Sequence, residues 1–145
     1  MKKSLAHSVW ECKYHIVFVP KRRRKVIYGH LKTDIGQIIR RLCEYKSIEI
    51  IEGTACVDHI HMCVSIPPKY SVSTIVGYVK GKSAMIIFEK YSRLKKNFKG
   101  HSFWARWYYV STVGLDEAKI RKYIQNQDQR EMIEDQYDSN TGNPF

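Results

Sequence analysis

The sequence has few of the features that mark membrane, secreted or multidomain proteins. Its apolar runs are short, as at residues 84–88, whereas a membrane span needs about 18 apolar residues. Glu11, Lys13 and His15 interrupt the stretch where a signal peptide would have its apolar core, so none is expected. The 145 residues include only 4 prolines and 8 glycines, with no visible repeat or linker. We therefore expect one domain over residues 1–130 and an acidic tail over 131–145.

Cysteine is also scarce, and its spacing is not typical of a protein stabilised by disulfide bonds. Cys12, Cys43, Cys56 and Cys63 form no Cys-x-x-Cys pair. A chain of this length with 43% apolar residues can fold around a core without disulfide bonds, which excludes a disordered or collagen-like chain. Without a signal peptide we expect free thiols, a cytoplasmic location and no membrane partner.

Acidic residues are outnumbered by basic ones. The chain has 25 Lys and Arg against 14 Asp and Glu, a formal net charge of +11. Residues 128–145 have several acidic side chains and only Arg130 as a base, so the positive charge lies upstream of them. The positive charges of this upstream part repel one another unless they meet an anionic partner. Nucleic acid is the leading candidate for that partner. An anionic membrane surface comes second, because no basic helix with one clean apolar face is visible.

Hydrophobic periodicity predicts an α+β fold of seven elements. Strands are predicted over 9–19, 48–56, 57–66 and 104–113, and helices over 32–46, from Ser71 or Ser73 to about Tyr91, and over 116–130. The first six elements follow the ferredoxin-like βαββαβ pattern, in which the first and third strands are central neighbours. Both crossover helices then cover one face of an antiparallel sheet, and the polar sides of the two central strands share the other face.

The third predicted strand presents a pair of histidines. Alternation places His59 and His61 on one side and Ile60 and Met62 on the other. Two imidazoles at this spacing can bind one divalent metal. A His-x-His pair is weak evidence in a chain with 6 histidines, but the uniformly apolar opposite side favours a functional pair.

Three other features carry less weight. Cys56 and Cys63 flank the histidines and suggest a structural zinc, although free cysteines are more often small buried side chains. The Gly-Lys-Ser sequence at 81–83 resembles the end of a phosphate-binding loop. Val76 stands where that loop needs a glycine, so we expect no nucleotide cofactor. On the last predicted helix Tyr123 and Gln127 share a face, and spacing alone favours a core tyrosine with a solvated glutamine.

Taken in order along the chain, these stretches resemble one family. The sequences KYHIVFVPK (13–21), VDHIHM (57–62), YYVSTVG (108–114) and KYIQNQ (122–127) extend over nearly the whole chain. Together they resemble the HUH single-strand DNA transposases of the insertion-sequence 200/605 family, which have a single catalytic tyrosine. Tyr108 and Tyr109 are interpreted as core or base-stacking residues rather than nucleophiles.

The resemblance implies a metal-dependent enzyme that cuts and rejoins single-stranded DNA. His59 and His61 would bind Mg²⁺ or Mn²⁺, with Gln127 as a third, oxygen ligand. Tyr123 would form a 5′-phosphotyrosine bond and free a 3′-OH. Asp58 is a candidate base for the tyrosine only because it is adjacent, and its side chain is expected to point away from the histidines.

The resemblance also implies DNA with subterminal hairpins as the substrate and a homodimer as the active form. The residues expected to contact phosphates are Lys21, Arg22, Arg23, Arg24 and Lys25, and Arg93, Lys95 and Lys96 of a predicted basic loop. The alternative is a non-catalytic single-stranded nucleic-acid-binding module, because RNA-recognition folds also have an open, basic and aromatic sheet face. Such a module would need neither metal nor Tyr123.

Overall fold

The computed structural model describes residues 3–5, 8–98 and 102–114. By its contacts the chain divides into two units, Met1–Val113 and Gly114–Phe145, and the elements below belong to the first.

Several sequence-based predictions concern residues that the structure does not describe. The helix predicted over 116–130, with Tyr123 and Gln127, lies outside the described residues. So do the predicted domain boundary at residue 130 and the acidic tail.

The described part of the chain contains six strands and three helices. They are β1 (Lys3–Leu5), β2 (Ser8–Trp10), β3 (Lys13–Pro20), α1 (Gly29–Tyr45), β4 (Glu49–Cys56), β5 (His59–Ser65), α2 (Val72–Lys90), α3 (Ser92–Asn97) and β6 (Trp104–Thr112). A 3₁₀ turn at Lys21–Arg23 follows β3. β1 and β2 form a separate hairpin, and the other strands form an antiparallel sheet in the order β4-β5-β3-β6. This order confirms the ferredoxin-like prediction, with β3 and β5 as the central pair.

The alternation of the central strands produces the core. Ile16 and Phe18 of β3 and the even-numbered residues of β5 are buried. The two helices contribute buried residues at helical spacing to the same core. These residues are Leu31, Ile35, Ile39 and Cys43 in α1 and Ile75, Val79 and Ile87 in α2. Helical spacing predicts Ile86 on the buried side of α2 together with Ile87, but Ile86 is 38% exposed. Of the two predicted starts of α2, Ser71 is the cap, because its hydroxyl accepts the Thr74 N–H at 3.1 Å.

Two element predictions were wrong. The strand predicted over 9–19 is interrupted at residues 11–12, and its first part belongs to the β1–β2 hairpin. The alternating pattern continues through the interruption, so periodicity could not show that the two parts pair with different strands. The basic segment after Tyr91 was predicted as a loop, but most of it forms the short helix α3.

All four cysteines are free, as predicted. Among the described residues, no helix is both long enough and apolar enough to cross a membrane. The Gly-Lys-Ser sequence lies inside α2, as predicted, and therefore does not form a loop.

Candidate active site

Three histidines lie on the sheet face opposite the helices. His59 and His61 project from β5, and His15 projects from β3 on the same side because His15 pairs with Cys63 in the antiparallel register. His15 Nδ1 lies 3.3 Å from His61 Nε2, and the two ring centroids are 5.4 Å apart. The prediction that the polar sides of the two central strands share a face therefore holds at this point.

The contact between His15 and His61 constrains the tautomer of His61. In a neutral pair one of the two facing nitrogens donates and the other accepts. If Nε2 of His61 donates to His15, its Nδ1 keeps a lone pair for another partner. If Nε2 accepts, the proton resides on Nδ1 and His61 has no free nitrogen. His15 is thus a direct partner of a predicted metal ligand.

His59 has a different partner, the carboxylate of Asp58. Its Nδ1 lies 2.8 Å from Asp58 Oδ1. The hydrogen bond to His59 is the main cause that lowers the pKa of Asp58, so the carboxylate is ionised at neutral pH and can only accept. His59 Nδ1 therefore donates, and the lone pair of a neutral imidazole remains on Nε2.

The expectation that Asp58 points away from the histidines was wrong. Asp58 belongs to the turn before β5 and not to the strand, so the alternation of strand side chains does not apply to it. Its other oxygen, Oδ2, accepts a 3.0 Å hydrogen bond from Arg23 Nε. Asp58 therefore connects the basic segment after β3 to the histidine pair.

The two histidines of β5 are of a residue type that can bind a divalent metal. His59 offers Nε2, and His61 offers a nitrogen when its Nε2 donates to His15. Over residues 3–5, 8–98 and 102–114, no group of three or more His, Cys, Asp or Glu side chains could hold a metal. Cys56 and Cys63 therefore form no zinc site with the histidines there, and a third protein ligand would come from another residue type or another part of the chain.

Half of this sheet face is exposed and half is buried. His61 is exposed, whereas Cys63 and Ser65, two and four residues further along β5, are 6% and 2% exposed. Tyr109 of β6 pairs with Val17, which also pairs with His61, so all three project from the same face. Tyr109 is exposed and Tyr108 packs against the core, so the interpretation as a core residue holds for Tyr108.

Two basic segments distant in sequence meet in a groove. Lys21, Arg22 and Arg24 line a groove of about 240 Å³ together with Lys96, Asn97 and Phe98. The Arg24 guanidinium lies over the Phe98 ring, 5.0 Å from its centroid. Lys95 instead lines a larger cleft of about 750 Å³ beside Arg106, and Lys25 and Arg93 are exposed. Arg23 contacts the turn before β5 instead, because its Nε donates to Asp58.

Sequence reasoning missed the roles of His15, Asp58 and Arg23 around the pair. His15 could have been found, because alternation and the ferredoxin-like order already placed it on the face of His61. Asp58 and Arg23 gave no such signal, since both lie in turns where periodicity is not informative.

Comparison with known proteins identifies the family. Residues 8–127 match the family model described as "Transposase IS200 like". The chain is 48% identical over 145 residues to the transposase for insertion sequence element IS200 of Salmonella typhimurium, covering 99% of this chain and 95% of that protein. It is 30% identical over 132 residues to the ISDra2 transposase TnpA of Deinococcus radiodurans, covering 90% and 94% respectively.

Solved structures agree on the fold. A crystal structure of a protein assigned as a transposase from Deinococcus radiodurans matches with a TM-score of 0.70 and 25% identity, covering 88% of this chain and 98% of that one. A REP-associated tyrosine transposase bound to a REP hairpin matches with a TM-score of 0.56 and 10% identity, covering 84% and 68%. The chain belongs to the IS200-like transposase family.

Proposed function

We propose that this transposase cuts and rejoins single-stranded DNA at insertion-sequence ends through a covalent tyrosine intermediate and with a divalent metal. The observation that carries the proposal is the histidine pair on the exposed half of the central strand. His59 is held there by Asp58, and Asp58 is bonded to Arg23, whose chain neighbours line a basic groove. A metal ligand pair beside phosphate-binding side chains is the arrangement that phosphodiester chemistry needs.

The chain's own residues would divide the work of the reaction. His59 and His61, as neutral imidazoles, and the side-chain carbonyl of Gln127 would hold Mg²⁺ or Mn²⁺. When bound, that ion polarises a non-bridging oxygen of the scissile phosphate. Tyr123 would supply the nucleophile, and its phenol must lose its proton as it attacks.

Bond making and breaking balance without a nucleotide cofactor. As the bond between Tyr123 Oη and phosphorus forms, the bond from phosphorus to the 3′-oxygen breaks, and that oxygen leaves as a 3′-OH after taking a proton. Joining is the reverse reaction, in which a 3′-OH attacks the phosphotyrosine and restores the phenol. The 5′-phosphotyrosine bond keeps the energy of the original phosphodiester, so no ATP is needed.

DNA binding would use the groove and the exposed aromatic residues of the sheet. Lys21, Arg22, Arg24 and Lys96 would contact phosphates, and Tyr109 could stack on a base. A hairpin is the proposed substrate, since a structural neighbour of this chain was solved with one. The proposal includes a homodimer, a catalytic domain over residues 1–130 and an acidic tail over 131–145.

The test uses full-length protein and a doubly end-labelled, hairpin-bearing oligonucleotide from the flanks of its own gene. The protein is incubated with Mn²⁺, Mg²⁺ or EDTA, and the products are resolved on denaturing gels. We expect a covalent protein–DNA adduct with either metal and none with EDTA.

Matched tyrosine variants assign the nucleophile. Tyr123→Phe should abolish the adduct, whereas Tyr109→Phe, which removes the hydroxyl on the histidine face of the sheet, should still form it. An adduct that survives in Tyr123→Phe and is lost in Tyr109→Phe would reassign the nucleophile. A protein that binds the hairpin but never forms an adduct would support the non-catalytic binding module instead.

A further inference from the structure

Arg23 lies in a basic run, and its side chain contacts the turn before β5. Its Nε donates to Asp58 Oδ2 at 3.0 Å, while Asp58 Oδ1 accepts from His59 Nδ1 at 2.8 Å. The two carboxylate oxygens are therefore occupied by different partners. An arginine bonded to a carboxylate that is bonded to a histidine is a way to fix the orientation of a metal ligand.

The backbone around Arg23 is shaped for this contact. Arg22 and Arg23 have φ angles of 60° and 53°, in the left-handed region that non-glycine residues seldom adopt. The segment that follows is attached to the turn containing Asp58, because Ile27 N–H donates to the carbonyl of Val57 at 3.0 Å. Unfavourable backbone geometry is retained where the surrounding structure requires it, and here it brings the guanidinium to Asp58.

We propose that Arg23 is a positioning residue: its guanidinium holds the Asp58 carboxylate, which fixes the His59 imidazole with the Nε2 lone pair available to a divalent metal. The inference rests on the proposed function for the metal-binding role of His59. It gives Arg23 a different role from Arg22 and Arg24, which line the groove that is proposed to bind DNA. Arg23 itself acts on the metal ligand through Asp58.

The competing interpretation is that Arg23 is one more phosphate contact. The Arg23 side chain is 68% exposed and uses only Nε toward Asp58, so its exposure alone does not distinguish the two roles. A phosphate contact would change DNA affinity and leave His59 unaffected. A positioning residue would change the state of His59 in protein that contains neither DNA nor metal.

The first measurement is therefore the tautomer of His59 in metal-free, DNA-free, full-length protein. Multiple-bond ¹⁵N–¹H spectra are recorded above the histidine pKa, with His59 assigned from the spectrum of His59→Gln. Wild type should show the proton on Nδ1. Asp58→Ala should shift the proton of His59 toward Nε2. Arg23→Gln should cause a smaller shift of the same kind, and Arg22→Gln should cause none. A wild-type tautomer in Arg23→Gln, or an equal shift in Arg22→Gln, overturns the proposal.

The second measurement is Mn²⁺ binding, followed by the electron paramagnetic resonance signal of the free ion. Loss of an outer partner of a metal ligand weakens metal binding by about 10- to 100-fold, which is the loss expected for Asp58→Ala. Arg23→Gln should also weaken Mn²⁺ binding. The double variant Arg23→Gln with Asp58→Ala should bind Mn²⁺ no more weakly than Asp58→Ala alone. If the two substitutions instead reduce Mn²⁺ affinity by independent factors that multiply in the double variant, Arg23 does not act through Asp58 and the proposal is overturned.

Failure of this inference and failure of the proposed function give different results. If wild type binds no Mn²⁺ without DNA, the tautomer of His59 alone decides whether Arg23 is a positioning residue. An unchanged tautomer in Arg23→Gln overturns the positioning role even if Tyr123 forms a DNA adduct. Absence of an adduct overturns the catalytic proposal and leaves the tautomer result standing. Circular dichroism of each variant verifies that the fold is retained.

Discussion

The indole Nε1 of Trp104 donates a 2.8 Å hydrogen bond to Ser83 Oγ, and both side chains are almost completely buried. The contact joins the first residue of β6 to the middle of α2. Ser83 also donates its own proton to the carbonyl of Lys80 at 3.2 Å, so its hydroxyl is used as both donor and acceptor. The last residue of the Gly-Lys-Ser sequence in α2 therefore has a packing role.

Ser83→Ala should destabilise the protein by about 1–3 kcal/mol, because it leaves the buried Trp104 N–H without an acceptor. The measurement is urea unfolding followed by circular dichroism. Ser92→Ala makes the same change at an exposed position of α3 and should stay within about 0.5 kcal/mol of wild type. A loss for Ser83→Ala no larger than that of Ser92→Ala would contradict the account.

Asp34 of α1 links that helix to the end of α2. Its carboxylate accepts hydrogen bonds from the Tyr91 hydroxyl and from Lys90 Nζ, the latter at 2.9 Å. The hydrogen bond from Tyr91, followed by that from Lys90, lowers the pKa of Asp34, and the same Asp34 contact raises the pKa of Tyr91.

Asp34→Asn should therefore lower stability at neutral pH, and the difference from wild type should shrink in acid. The folded-state pKa of Asp34 is depressed, so its contribution is present above its unfolded pKa, about 3.9, and is lost as pH falls through the folded value. Unfolding of wild type and variant is compared across this range. The exposed Glu89→Gln in α2 is the control. A difference that stays constant between neutral and strongly acidic pH would refute the assignment.

Much of the fold could be predicted because it follows from periodicity. Alternation in β3 and β5, together with the order of elements, was enough to place the two strands side by side and His59 and His61 on one face. The break at residues 11–12 could not be predicted, since the alternating pattern of the first strand continues across it.

The surroundings of the histidines depend on turns rather than on periodic elements. Asp58 contacts His59 because it precedes the strand, and Arg23 reaches Asp58 because its backbone is left-handed. Neither feature has a periodic sequence signal, because both residues lie in turns. The groove likewise joins Arg24 to Phe98, and only the folded chain brings these distant positions together.

The basic groove gives a prediction on the salt dependence of DNA binding. Lys96→Gln removes one cation of the groove, so the slope of log affinity against log salt should fall by about 0.7 for a single-strand contact or 0.9 for a duplex contact. Fluorescence anisotropy of a labelled hairpin oligonucleotide measures the slope. Lys32→Gln, at an exposed position of α1 outside the groove, should leave it unchanged. Equal slopes for Lys96→Gln and wild type would exclude the groove as a phosphate contact, whereas an equal decrease for Lys32→Gln would show that only overall charge matters.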